Sequence, residues 1–203
     1  KTLNIELEGH GREELFDDID VSRTLGWFTA LYPAVLRVQN KCDLGESIKS
    51  IKEQLRGIPN KGLGFGLLKY LSRDDEIRSK LHVLPQPEIS FNYLGQFDNV
   101  LSKAPVIKLA EESAGPDSTL LGKRNHLLNM NGLITDGVLK MNFTYSRNIH
   151  KKETIEHLAH NYVSVLQSLI EHCRSPETGG YTVSDFPGAR LKQGELESFL
   201  GEL

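Results

Sequence analysis

The sequence predicts an α/β fold built on a sheet of mixed strand direction. Three stretches carry that expectation. Residues 2–9, TLNIELEG, alternate Leu3, Ile5 and Leu7 with Thr2, Asn4, Glu6 and Glu8, the period of a strand with one apolar face. Residues 126–146, HLLNMNGLITDGVLKMNFTYS, read as two strands joined at Asp136-Gly137, a strong signal for a two-residue hairpin turn. Residues 151–173, KKETIEHLAHNYVSVLQSLIEHC, place Ile155, Leu158, Ala159, Tyr162, Val165, Leu166, Leu169 and Ile170 on one helical stripe. Strands and helices alternate irregularly around an antiparallel hairpin, which argues against a doubly wound parallel sheet.

The other elements follow in order. Glu8 ends the first strand on its polar face, just before Gly9, where a carboxylate is well placed to meet a ligand. Residues 12–19, REELFDDI, are compatible with a short helical turn. In residues 21–38, VSRTLGWFTALYPAVLRV, Pro33 suggests a loop up to Tyr32 and a strand over about 34–38. Residues 45–59, GESIKSIKEQLRGIP, form a helix with Ile48, Ile51 and Leu55 on one face, Gly57 as its cap and Pro59 blocking continuation. PNKGLGFGLLKYL, residues 59–71, reads as a glycine-rich loop running into a helix, and EISFNYLGQF, residues 88–97, as a strand. Residues 96–120 show no sustained period and carry Pro105, Gly115 and Pro116; a loop of that length is usually functional or reaches another body. A Pro/Gly-rich segment, residues 175–189, leads to a last short helix around 196–200.

Composition excludes several classes. The 203 residues are 38% hydrophobic and 25% charged, with a net charge of -3. That balance does not suit a general polyanion or nucleic-acid binder, although a local basic patch remains open. No apolar run approaches the ~20 residues of a membrane helix. Two distant cysteines, Cys42 and Cys173, read as free thiols in a reducing cytosol. The chain enters a strand from its first residues, as a piece cut from a longer chain would.

Four motifs invite chemistry. GLGFG, Gly62 to Gly66, precedes a helix but matches neither common phosphate-binding spacing; a tight turn explains it equally. His157 and His160 lie three apart beside Glu153 and Glu156, with no evident third metal ligand. Cys173 ends a helix, where the dipole disfavours a thiolate. EGHGREE, Glu8 to Glu14, sets a strand-end carboxylate between glycines near His10 and Arg12. It reads as a positioned general base or as a solvated turn.

Taken in order, EGHGREE, SRTLGWFTALYP (22–33), PNKGLGFG (59–66), FNYLGQFD (91–98) and the closing YTVSDFPGARL (181–191) resemble the epimerization domains of nonribosomal peptide synthetases. The resemblance runs along essentially the whole chain. It implies the fold of condensation domains and of chloramphenicol acetyltransferase, in which two subdomains flank a tunnel. Residues 1–203 match the C-terminal subdomain, with 96–120 as a possible crossover and 184–203 as the domain end. The family's N-terminal subdomain carries a His-His-x-x-x-Asp-Gly motif, and no adjacent histidines occur here.

The resemblance implies an isomerase of antibiotic biosynthesis that inverts L to D at Cα of an aminoacyl or peptidyl thioester. The substrate arrives on the phosphopantetheine arm of a peptidyl carrier domain, and no cofactor is bound directly. By resemblance Glu8 is one acid/base group, and the histidine of the other subdomain opposes it or stabilises the enolate. Arg12 holds the loop by pairing with an acidic neighbour or tunes Glu8, with His10 beside it. Asn92 and Tyr93 match the family's motif and, on a strand, point to opposite faces; Tyr93 is favoured as the one near substrate. Trp27 and Phe28 pack near the tunnel, at the subdomain joint or in the core. The other subdomain, the carrier domain and further synthetase modules are the expected partners, in the cytoplasm, without nucleic acid or membrane. The alternatives are a condensation-type, peptide-bond-forming subdomain and a non-catalytic carrier-docking module. Alone, the chain is expected to be inactive and to aggregate or self-associate through apolar surface.

Overall fold

A computed structural model describes residues 1–38, 43–96, 98, 112, 115, 122–175, 178, 180–189 and 191–201. Cys42 and nearly all of the 96–120 segment lie outside the described residues.

Five strands form one mixed sheet: β1 (Thr2–Gly9), β2 (Ala30–Arg37), β3 (Ile89–Gln96), β4 (Leu128–Thr135) and β5 (Val138–Tyr145). Their spatial order is β2-β1-β3-β4-β5. The outer pairs are antiparallel, while β1 and β3, and β3 and β4, run parallel. The mixed α/β architecture expected from sequence is therefore the one observed. Asp136 and Gly137 both take left-handed backbone angles, φ 53° and 68°, the geometry of a hairpin turn that matches strand twist. Asp98 caps this turn, accepting from the backbone N–H groups of Asp136 at 2.7 Å and Gly137 at 3.0 Å.

The strand around Pro33 begins earlier than expected, at Ala30, and runs through the proline. The reason is its place in the sheet. β2 is outermost in the strand order, so a residue without an N–H can sit in it at little cost.

Helices cover one face of the sheet. α1 (Leu44–Arg56) starts at Asp43, whose side chain accepts from the Glu46 N–H at 3.1 Å, and stops at Gly57. Gln54 on α1 clamps the end of β2, accepting from the Arg37 N–H at 2.7 Å and donating to its carbonyl at 3.0 Å. The glycine-rich stretch is not an open loop. Pro59–Gly62 forms a 3-10 turn, followed by a single helical turn, α2 (Leu63–Gly66), and a π-helical turn over Leu67–Leu71. Only Gly62 among its glycines is left-handed, at φ 82°. α3 (Asp75–His82), which no sequence pattern marks clearly, begins at Asp74, whose carboxylate caps Glu76 and Ile77. Residues 12–19 form no helix; a single turn closes at the Ile19 N–H to Phe16 carbonyl bond.

α4 (Lys152–Arg174) is the long helix. Leu128 and Met130 from β4 and Ile155 from α4 make the buried centre, with Ile89, Phe91, Met141, Phe143, Tyr145 and Tyr162 packed around it. The Phe143 and Tyr162 rings meet edge to face at 5.8 Å. The inward stripe of α4 is narrower than expected. Ile155, Ala159, Tyr162, Leu166 and Leu169 turn inward, whereas Leu158, Val165 and Ile170 stay exposed on its flanks. Ile155→Ala is expected to cost about 2–5 kcal/mol, as other buried Ile-to-Ala changes do, read by urea denaturation. A loss below about 1 kcal/mol would mean that the core does not depend on this contact.

The C-terminal segment docks on α1. Thr182 is fully buried and forms a capping box with Asp185. Asp185 accepts from Lys52 and Arg56, each at 2.6 Å. α5 (Gln193–Gly201) follows, and its Leu196 is buried within the chain. No helix among the described residues is long and apolar enough to cross a membrane.

Candidate active site

The strand period divides the sheet into two chemically different faces. Ile5, Leu7, Ile89, Phe91, Leu128, Met130, Met141 and Phe143 occupy one register set and Glu6, Glu8, Ser90, Asn92, Asn129, Asn131, Asn142 and Thr144 the other. The first set faces the helices. The second makes a polar surface, and Glu8 stands at its edge, where β1 ends.

Glu8 is held there by one defined contact. Its Oε2 accepts from Asn92 Nδ2 at 2.7 Å. Partial burial, and then the negative charge of Glu6 two residues back, push the Glu8 carboxyl above its ordinary range. A carboxylate with raised proton affinity is a better base near neutral pH. Glu6 itself meets His126 Nε2 at 3.0 Å. Sequence reasoning missed this pair, because Glu6 and His126 lie far apart along the chain and carry no local motif.

Asn92, and not Tyr93, therefore faces Glu8. The two residues alternate on β3, and the hydrogen bond fixes which one shares the polar face. Tyr93 points the other way, alongside Gly132, and is about half exposed. The irregularity in β3 begins after Tyr93, too late to turn its side chain around.

The loop after β1 is organised by Arg12, but through carbonyl groups. Its guanidinium donates to the backbone oxygens of Val21 and Gly26 and stacks 4.2 Å over the Phe28 ring. No acidic partner of Arg12 is found among the described residues. His10 Nδ1 accepts from the Arg12 N–H at 3.0 Å, and its Nε2 lies 3.2 Å from Glu13. Glu13 also binds Lys61 at 2.6 Å, which ties EGHGREE to the PNKGLGFG stretch. Gly11, at φ 69°, lets the loop pass so close to the Phe28 carbonyl that no side chain would fit. Trp27 is 90% exposed and does not pack in this chain's core.

An open apolar groove of about 550 Å³ runs beside this loop, lined among others by Phe16, Ile19, Phe28, Leu63, Leu67 and Tyr70. A smaller cavity of about 230 Å³, between α1 and Thr182, includes Arg37 and Val38. It lies by the opposite end of β1 from Glu8, since Thr2 pairs with Arg37 and Glu8 with Leu31. On α4, His157 Nε2 meets Asn161 at 3.1 Å and His160 Nδ1 meets the Glu156 carbonyl at 2.7 Å; both contacts are internal to the helix. Cys173 is exposed.

The condensation domain family model matches residues 1–191. The chain belongs to the condensation domain family. It is 49% identical over 201 residues to a linear gramicidin synthase of Brevibacillus parabrevis, covering 99% of the chain and 3% of that protein. It is 41% identical to gramicidin S synthase 1 of Brevibacillus brevis, covering 95% of the chain and 18% of that protein. This condensation-family chain thus spans a small part of these relatives. A solved structure with the same fold is the epimerization domain from the third module of tyrocidine synthetase B, at TM-score 0.75 and 39% identity. That match covers 85% of the chain and 37% of the solved domain.

Proposed function

We propose that this condensation-family chain is the C-terminal subdomain of an epimerization domain, with Glu8 as one of its two acid/base groups. The observation that carries this reading is the position of Glu8. It ends β1 on the polar face of the sheet, is oriented by Asn92, and has its proton affinity raised by burial and by Glu6. The likeness to the tyrocidine synthetase B epimerization domain supports the same reading.

The chemistry requires two opposed groups. The α-proton of a thioester is weakly acidic, so its removal needs a placed base and a stabilised enolate. Inversion needs removal on one face of Cα and delivery on the other. Glu8 serves one face. The second group belongs to the N-terminal subdomain, whose His-His-x-x-x-Asp-Gly motif this chain does not contain. The substrate is an aminoacyl or peptidyl thioester on a carrier domain's phosphopantetheine arm, and the isolated chain is inactive. The N-terminal subdomain packs over the polar face, with 96–120 as the crossover between halves.

The test is α-proton exchange in deuterated water, with an L-aminoacyl thioester on its carrier domain. The chain alone is compared with the intact two-subdomain protein and with the intact Glu8→Gln variant. Exchange and D-product in the intact form only, lost in Glu8→Gln, is the expected result. An amide bond formed between two carrier-bound groups would favour condensation chemistry. Carrier binding without either reaction would leave docking.

A further inference from the structure

We propose that Arg124, Asn129 and His126 form a hydrogen-bonded chain that holds Glu6 and, through Glu6, sets the charge of Glu8, which makes His126 a positioning residue for the site. This rests on the reading of Glu8 as an acid/base group.

The chain of contacts has a fixed direction. Arg124 donates through Nη2 to Asn129 Oδ1 and to the Thr144 carbonyl at 3.0 Å. A guanidinium has only donors, so the Asn129 oxygen must face it and the amide nitrogen must face away. That nitrogen donates to Ser90 Oγ at 2.9 Å and lies 3.5 Å from His126 Nδ1. With an N–H directed at it, Nδ1 is the acceptor, and the ring hydrogen is on Nε2. Nε2 is the atom that meets Glu6, at 3.0 Å, and both side chains are largely withdrawn from solvent, at 13% and 18% exposure. Each group polarises the next, so Arg124 strengthens the hydrogen bond that His126 donates to Glu6.

Glu6 and Glu8 share the polar face of β1, two residues and roughly 7 Å apart. The charge that Glu6 presents is felt by Glu8. Other elements near Glu8 contribute less. From β2 the facing residue is Leu31, and β3 offers only Ser90 and Asn92. His10 in the loop after β1 and Lys61 in the 59–62 turn are engaged with Glu13, and Arg12 is directed to carbonyls and Phe28.

The signs separate electrostatics from scaffolding. Glu6→Gln removes a negative neighbour, so Glu8 should lose its proton at lower pH. His126→Leu removes the donor and leaves the Glu6 charge unscreened, so Glu8 should lose its proton at higher pH. The Glu6→Gln shift should be about 0.5–1 pH unit for charges at this separation, and the His126→Leu shift, which removes a neutral donor, should be smaller. His126→Gln, whose amide N–H can stand where Nε2–H stood, should restore the original value.

The measurement is the carboxyl 13C titration of Glu8 in the intact protein, for wild type and the three variants. Opposite shifts in Glu6→Gln and His126→Leu, with rescue in His126→Gln, are the expected result. Shifts of the same sign, or none, would overturn the inference whatever Glu8 does in catalysis. The pH profile of α-proton exchange is recorded in parallel. If the titrations shift as stated and the exchange profile does not follow, the acid/base reading of Glu8 fails while the coupling stands.

Discussion

Glu8→Gln in the intact protein is expected to lower α-proton exchange by about 10²–10⁴-fold, the usual contribution of a positioned acid/base group. The same change is expected to make the protein slightly more stable at neutral pH. The two effects have opposite signs for one reason. Burial and Glu6 raise the proton affinity of the Glu8 carboxyl, so the fold favours its protonated form. The stability that Glu8 contributes is full below its unfolded value, ~4.3, and is lost as pH rises through the higher folded value. Gln cannot ionise and keeps its neutral amide throughout. Its carbonyl can still accept from Asn92. The stability gap between variant and wild type should therefore be absent near pH ~3.5 and open toward pH ~7. Glu8 remains partly exposed, so the gap is discounted for solvent to a few tenths of a kcal/mol. Thermal melts at the two pH values measure it. Loss of exchange together with loss of stability would instead mean that Glu8 holds the strand end in place.

Gly62→Ala is expected to destabilise by about 2–5 kcal/mol in urea denaturation. Two costs add. The residue sits at φ 82°, where a Cβ is strained by about 1–2 kcal/mol. A Cβ built there would also lie 2.1 Å from Tyr32 Cγ, at the base of the ring. That part of a side chain cannot swing aside, so the strand or the turn must shift, at about 1–3 kcal/mol. Gly64→Ala is the control. It lies in the helical turn α2, and its added Cβ would meet nothing within 4 Å. It should be neutral or stabilising by up to about 1 kcal/mol. Equal losses at both positions would show that the stretch needs flexibility throughout, and not a left-handed glycine packed against Tyr32.

The sequence was most legible where a short-range rule governs. The alternation in residues 2–9 gives β1, and Asp136-Gly137 gives the hairpin, because period and turn chemistry are local. Pro33 misleads because its effect depends on whether its strand is central or outermost, and sheet order is not local. Which of Asn92 and Tyr93 meets Glu8 is not legible in the sequence for a related reason. Alternation says that the two point apart, but only the parallel register of β1 with β3 says which one reaches Glu8. Arg12 is visible in EGHGREE, yet its partners are backbone oxygens of Val21 and Gly26, which no side-chain pattern reveals. His126 and Glu6 are separated along the chain by all of β2, α1 and β3. Only the folded sheet brings them together.

Parallel pairing of β1 with β3 also has a consequence during synthesis. β2 follows soon after β1 and can form its antiparallel partner early. Asn92, the residue that orients Glu8, is 84 residues behind it. At ~5–20 residues per second this is a delay of roughly 4–17 s. Throughout that interval the second edge of β1 is open, and an open edge invites pairing with another chain. Glu6 and Glu8 place two carboxylates beside that edge, and charges flanking a hydrophobic strand discourage such pairing. Until β3 is made, these two carboxylates flank a nascent strand that is still waiting for its neighbour.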